Sequence, residues 1–211
     1  DGSGRAIVVD SRSDENVIIA QMHVLWIKLH NRLLDVAQEQ EELLTGLPEG
    51  SLFARVRQLV TWLYQWIIVH DFLPSCIRND VLLDVFLRRN LQLYRVVGPL
   101  SRTPFSLPIE FTVAAYRFGH SMLPDEYTLA KGRSVSTPEL LMMTNKGGGI
   151  TSGLRADFVI DWSLFLEEKT FANRGERIDT FIASALSRIP GTILPQTTLL
   201  RGSAMHLPSG E

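Results

Sequence analysis

The sequence predicts a mainly α fold, and three observations support this prediction. Apolar residues recur at helical spacing over two long stretches, residues 14–40 and 51–72. No two alternating segments joined by a tight turn stand out as a strand pair. Prolines cluster between residues 99 and 108, which is typical of an irregular connection. We therefore expect helices joined by long irregular connections, in a single domain over residues 1–211.

The two long stretches also carry predictions about helix ends and burial. The first helix is expected to begin at a cap from Ser13 or Asp14. The second is apolar nearly all round in its later half, which predicts a buried central helix that ends at Pro74. Shorter helices are expected near residues 78–90, 109–121, 138–143, 160–166 and 178–185.

Composition places the chain among ordinary globular proteins. Hydrophobic residues make up 45% of it and the net charge is -2. The chain has no excess of basic residues, so nucleic-acid binding is not predicted. Cys76 is the one cysteine, which excludes an intrachain disulfide. The sequence contains no run of 18 apolar residues, so no transmembrane helix is predicted. The chain starts without methionine or a signal peptide, so we expect it to be a piece of a longer polypeptide.

The stretch from Phe111 to Leu123 contains the most unusual polar residues. It is apolar except for Arg117, His120 and small hydroxyls. Arg117 and His120 are three residues apart, so on a helix they lie on one face. Gly119 leaves room beside the histidine for a flat group. This pattern suits an anionic, metal-centred cofactor such as haem. Taken alone, however, a single histidine in an apolar helix is more often structural.

Other candidate sites are weaker. Arg12 and Glu15 have the spacing of a surface ion pair at a helix start, which alone predicts little function. His23 and His30 are seven residues apart, too far for a chelating pair on one helix. Cys76 has no neighbouring base in sequence, so nucleophilic catalysis is not predicted.

Several segments, in order along the chain, resemble the animal-type haem peroxidase superfamily, most closely its bacterial members. The first matching segment is Asp10-Ser-Arg-Ser-Asp-Glu-Asn16. It is followed by residues 20–33, 62–74, 110–122 and 159–163, then by Leu199-Leu-Arg-Gly202, and finally by residues 207–210. The resemblance implies a helical haem-peroxidase-like domain with long irregular connections, of which this chain is the central and C-terminal part. It implies a peroxidase, an iron-containing oxidoreductase of the response to oxidative stress, that reduces hydrogen peroxide while oxidising an organic or halide donor.

The resemblance also implies roles for individual residues. His120 matches the axial ligand of the haem iron. Arg12 matches the catalytic cation beside the peroxide, where it polarises the O–O bond. Arg117 and Arg201 match arginines near the haem and its propionates. Glu15 occupies the position that forms an ester to a haem methyl in some members, so haem b is expected either with or without a covalent link.

Three departures from the family pattern carry their own expectations. An asparagine that supports the axial histidine is replaced by Thr198, so we expect a shifted redox potential. The family's distal histidine and its calcium ligands precede the Arg12 motif, and nothing before Asp10 matches them. We expect both in a missing N-terminal segment or a partner chain. Arg117 stands where oxygenase branches carry a radical tyrosine, which favours a peroxidase over a fatty-acid dioxygenase.

Two alternatives stay open at the level of sequence. One is a catalytically inactive or haem-free helical remnant that acts as a binding module, and the other is a fatty-acid dioxygenase. For the leading hypothesis the expected partners are hydrogen peroxide and a small reducing substrate, without nucleic acid. Export from a bacterial cell is the expected localisation, because many bacterial members of the superfamily are exported.

Overall fold

Helices make up most of the regular elements in the computed structural model, which describes residues 7–88, 111–112, 115–144, 159–166, 172–179 and 181–187. The prediction of a mainly α fold is confirmed. Two compact units are present, one formed by residues up to His23 together with those from Phe105 onward, the other by Val24–Pro104. A single domain over residues 1–211 stays a prediction.

Helix α1 spans Val17–Glu39, close to the predicted range. Its cap is Asn16, whose Oδ1 accepts the backbone N–H groups of Ile18 and Ile19 at 3.1 and 3.0 Å. The predicted cap at Ser13 or Asp14 is wrong because a 3₁₀ helix, Ser11–Asp14, precedes α1. The 3₁₀ turn moves the start of α1 to Val17. The first N–H groups of α1, which have no partner within the helix, then lie closest to the side chain of Asn16.

The second unit is built around α2, Leu52–Ile67, whose first N–H groups are capped by Ser51. Val56 packs with Ala37 and Leu44 in a small core. The prediction of a buried helix is wrong, since the aromatic side chains of its later half, Trp62, Tyr64 and Trp66, are exposed. An all-round apolar helix needs packing partners on every side. Among the described residues, the core partners of α2 contact its first half.

Pro74 does not end this second helix. A π-helical turn at Ile68–Phe72 follows α2, and a further turn, α3, spans Leu73–Cys76. Proline lacks an N–H and its ring crowds the carbonyl four residues earlier, and the wider π turn directly before it gives that carbonyl room. The backbone becomes extended at Ile77, and α4 follows at Asn79–Arg88.

The first unit contains a β-hairpin that the sequence reading missed. Strands β1, Glu126–Ala130, and β2, Arg133–Ser136, pair antiparallel with a bulge in β1. The expectation of no strand pair is therefore wrong. The turn uses Gly132 at a φ of 75°, a left-handed conformation that glycine adopts without strain. Strands this short show too few alternating positions to distinguish them from irregular chain.

The core of the first unit joins the hairpin to the start of α1. Its buried side chains are Val17, Leu129, Val135, Leu140 and Ile160. Two hydrogen bonds tie the segment after residue 159 into this core: Gln21 Oε1 accepts the N–H of Ile160 at 3.0 Å, and the Leu129 carbonyl accepts the N–H of Asp161 at 2.8 Å. The N-terminal segment, the hairpin and the 159–166 segment are thus parts of one packed unit.

Three further short helices lie in the described part of the first unit. They are α5 at Thr137–Leu140, α6 at Ser163–Leu166 and α7 at Ser184–Ser187. The first two overlap predicted ranges, whereas in the helix expected over residues 178–185 the described residues before 184 are irregular. Asn173 links the hairpin to α6, because its side chain bonds both backbone groups of Thr128, at 2.7 and 2.8 Å, and the Leu164 carbonyl. No helix within the described ranges is long and apolar enough to cross a membrane.

Candidate functional site

The stretch that carries His120 forms a 3₁₀ helix, Ala115–Ser121, in place of the α-helix predicted over residues 109–121. Residues 111–112 are also helical. A 3₁₀ helix has three residues per turn, so residues i and i+3 eclipse one another. Arg117 and His120 therefore form one row, Tyr116 and Gly119 a second, and Phe118 and Ser121 a third. We call this element the His120 helix.

His120 is half-buried, and its surroundings favour the neutral ring. Burial lowers the pKa of the imidazole, and the positive charge of Arg117 lowers that pKa further. The structure thus brings the two predicted residues together, one turn apart on the same row. A neutral imidazole is the form that binds a metal, so the local electrostatics suit an iron ligand.

The backbone beside His120 is open at Gly119. A Cβ built there would meet no atom of the described residues within 4 Å. The neighbouring side chain on the same row, Tyr116, is 71% exposed. A planar group can therefore approach the backbone next to the histidine, and in this respect the residues present fit a porphyrin.

Arg12 lies on the 3₁₀ helix that precedes α1, and its partner is Asp10. The guanidinium Nε donates to Asp10 Oδ1 at 2.9 Å and Nη2 donates to Oδ2 at 2.5 Å. The surface ion pair with Glu15 suggested by the spacing is wrong as a direct contact, because Asp10 lies closer to Arg12 along the turn. The Asp10 carboxylate is the main cause of the raised pKa of Arg12, with smaller contributions from Glu15 and Tyr116.

The Arg12 motif and the His120 helix belong to the same compact unit, the first. Arg12, Glu15, Arg117 and His120 are all described, whereas Thr198 and Arg201 lie outside the described residues.

Ser121 and residues 176–183 hold the end of the His120 helix, and the sequence reading assigned them no role there. The buried Ser121 hydroxyl donates to the Phe118 carbonyl at 3.0 Å and accepts the N–H of Asp179 at 3.3 Å. The carbonyl of His120 itself accepts the N–H of Ala183 at 2.9 Å. No sequence signal could have found these contacts, because Ser121 and Asp179 are 58 residues apart.

A cleft of about 490 Å³ opens at this helix end. Its walls include Ser121, Ser184 and the carboxylates of Asp125, Glu176 and Asp179. Ser184 Oγ donates to Asp125 at 2.7 Å. Within the part of the chain that the structure describes, no three His, Cys, Asp or Glu side chains form a metal-binding cluster.

Comparisons with known proteins support the resemblance at the level of the animal haem peroxidase family, and the relatives named below are animal proteins. The animal haem peroxidase family profile matches residues 4–193. Eosinophil peroxidase from Mus musculus is 35% identical over 114 residues, which cover 54% of this chain and 14% of that protein. Its Homo sapiens counterpart is 36% identical with the same coverage. Thyroid peroxidase from Rattus norvegicus is 29% identical over 112 residues, or 53% of this chain and 11% of that protein.

The matched part of the chain spans about a seventh or less of the length of these curated relatives. No solved structure matches the chain. The family match, in contrast, extends over most of the sequence and includes both the Arg12 motif and the His120 helix. The chain belongs to the animal haem peroxidase family.

Proposed function

We propose that this chain is part of a haem-dependent peroxidase that reduces hydrogen peroxide and oxidises an organic or halide donor. The observation that supports it most directly is His120, a half-buried imidazole whose pKa is lowered, beside open space at Gly119. Membership of the animal haem peroxidase family supports the same activity. The named relatives are peroxidases of animals, and the bacterial origin and export of this chain are part of the proposal.

Haem b would be held on one side by His120, with Arg117 and Arg201 pairing with its propionates. Glu15 is exposed, and the carboxylate that binds Arg12 is that of Asp10, so the Glu15 carboxylate is available to a haem methyl. Thr198 would support the axial histidine less firmly than the family's asparagine. Bound haem supplies the iron that accepts electrons from the donor and passes them to peroxide.

The chain's own residues would act through charge and position. His120 offers a neutral nitrogen, because burial disfavours its protonated form. Arg12 carries a fixed positive charge, because a guanidinium stays protonated at any working pH, and a fixed cation favours the negative charge that develops on the departing peroxide oxygen. The proton transfer would be carried out by a histidine outside this chain, in an N-terminal segment or partner chain that also carries the calcium ligands.

One specific observation favours the alternative of a haem-free binding module. Trp62, Tyr64 and Trp66 are 45%, 51% and 58% exposed on α2, and exposed aromatic side chains are typical of binding surfaces. The fatty-acid dioxygenase alternative has less support, because Arg117 occupies the row of His120, whereas Tyr116 lies on a different row. Oxygen uptake with linoleate would favour that alternative.

Haem binding by the full-length protein tests the proposal. We expect added haem to give a Soret band and peroxide-dependent oxidation of a phenolic dye. His120→Gly should change the Soret position, and added imidazole should restore it, because free imidazole can occupy the vacated ligand position. His30→Gln is the matched control, since His30 is also half-buried and packs on Phe53 in the second unit.

Two results would contradict the proposal. Full-length protein that takes up no haem would favour the binding module. A His120→Gly spectrum identical to that of the wild type would show that another residue binds the iron.

A further inference from the structure

We propose that Asp10 is the positioning residue of Arg12, so that its carboxylate determines where the guanidinium lies beside the peroxide. This inference rests on the proposed function and adds a residue to it. Asp10 itself would not touch peroxide or haem. It would act through Arg12 alone, which makes its role separable from the roles of Arg12 and His120.

Three hydrogen bonds from Arg12 converge on this one carboxylate. The backbone N–H of Arg12 donates to Asp10 Oδ1 at 2.9 Å, and so does the side-chain Nε, at 2.9 Å. Nη2 donates to Oδ2 at 2.5 Å. The Asp10 carbonyl also accepts the N–H of Ser13 at 2.9 Å. One residue therefore both starts the 3₁₀ helix and holds the side chain that projects from it.

Stabilisation of the fold is a poor explanation for this arrangement. The Arg12 side chain is 82% exposed and that of Asp10 45%. Exposed ion pairs contribute little to stability, because solvent screens the charges and ordering two long side chains costs entropy. A free arginine, in contrast, has many rotamers, and a two-pronged contact with a carboxylate selects one of them. Position is therefore what the contact controls most strongly.

The pair stays charged over the working pH range of most enzymes. Its hydrogen bonds to Arg12 hold the pKa of Asp10 well below its ordinary value, and Asp10 raises the pKa of Arg12. The carboxylate can therefore hold the guanidinium in acidic as well as neutral solution. Glu15 and Tyr116 contribute less than Asp10 to the raised pKa of Arg12.

The second unit contains a matched control for this pair. Arg78 Nε donates to Asp80 Oδ1 at 3.0 Å and Nη2 donates to Oδ2 at 2.6 Å. This pair resembles Arg12 and Asp10 in three respects. The two residues are two positions apart, the contact is two-pronged, and the arginine is 81% exposed, against 82% for Arg12. Arg78 and Asp80 have no place in the proposed site.

The test uses the full-length, haem-loaded protein and follows its reaction with hydrogen peroxide at the Soret band. Asp10→Asn should lower the second-order rate constant about 10- to 100-fold, the usual effect of removing a partner that orients a functional group. Haem content and the resting Soret band should stay at wild-type values. Asp80→Asn should leave the rate constant unchanged, and Asp10→Glu should recover part of the loss because it keeps the charge.

A double variant distinguishes positioning from a structural role. If Asp10 acts through Arg12, Asp10→Asn adds no further loss in an Arg12→Ala background. An Asp10→Asn variant with the wild-type rate constant, with lost haem, or with the same loss in the Arg12→Ala background would overturn this role alone. A wild-type protein that binds no haem would overturn the proposed function and this inference with it.

Discussion

Arg12 and His120 are held in place in different ways. Arg12 is held through its side chain by a residue two positions earlier. His120 is held through its backbone, because its carbonyl accepts the N–H of Ala183 and the adjacent Ser121 binds Asp179. The first contact is local and follows from the sequence of one turn. The second depends on a distant segment, and a change there would be felt at the histidine.

Replacing Ser121 should therefore loosen the His120 helix. Ser121→Ala removes the acceptor of the Asp179 N–H and the donor to the Phe118 carbonyl. We expect the free energy of unfolding to fall by about 1–3 kcal/mol, the usual cost of leaving buried polar groups unpaired. Urea unfolding measures this change.

The control is Ser75→Ala, which removes an exposed hydroxyl that bonds the carbonyl of Asp71 within its own helix. It should change stability by no more than about 0.5 kcal/mol. Equal losses in the two variants would mean that Ser121 acts only as an ordinary helix serine.

At the scale of elements, the short hairpin organises the first unit. Leu129 and Val135 are buried in its core, and Asn173 binds the hairpin backbone. Tyr127 packs its ring nearly parallel to that of Phe165, with 6.4 Å between ring centres. Because desolvation raises the pKa of the Tyr127 phenol, the folded chain holds this proton more firmly than the unfolded chain.

This shift predicts how stability depends on alkaline pH. The stabilisation is fully present below the ordinary tyrosine pKa of 10.0 and is lost as pH rises through the higher folded value. As the pH rises from about 8 to about 11, the free energy of unfolding should therefore fall less in Tyr127→Phe than in the wild type. Urea midpoints across this range measure the difference. Tyr64→Phe, at an exposed position, should follow the wild type, and identical curves for Tyr127→Phe and wild type would contradict the prediction.

At the scale of the whole molecule, the described candidate site residues belong to the first unit. The second unit contributes a separate small core and the exposed aromatic side chains of α2. Binding of haem at His120 would thus stabilise the first unit directly. A ligand that binds only the folded state raises stability in proportion to the logarithm of its concentration.

Haem should therefore raise the melting temperature of the full-length protein. At a free haem concentration 100 times the dissociation constant, the expected stabilisation is about 2.7 kcal/mol. Most of this increase should be absent in His120→Ala and present in His30→Gln. Thermal scanning with and without haem measures it, and an equal shift in His120→Ala would indicate that haem binds elsewhere.

The sequence by itself determined the helical class, the course of α1 and the family, and it predicts Arg12 and His120 as site residues. Each of these depends on residue types and spacings along the chain, and helical periodicity is set by neighbours within one or two turns. A single histidine in an apolar helix is more often structural, and it is the order of the motifs, shared with the family, that makes His120 an expected ligand.

Tertiary structure alone decided the rest. It decided that residues 115–121 form a 3₁₀ helix, that residues 126–136 form a hairpin, and that the later half of α2 is exposed. It also placed Asp179 and Ala183 on the end of the His120 helix. These outcomes depend on which distant segments pack against each element, and hydrogen bonds between residues 45 or 58 positions apart leave no periodic signal in the sequence.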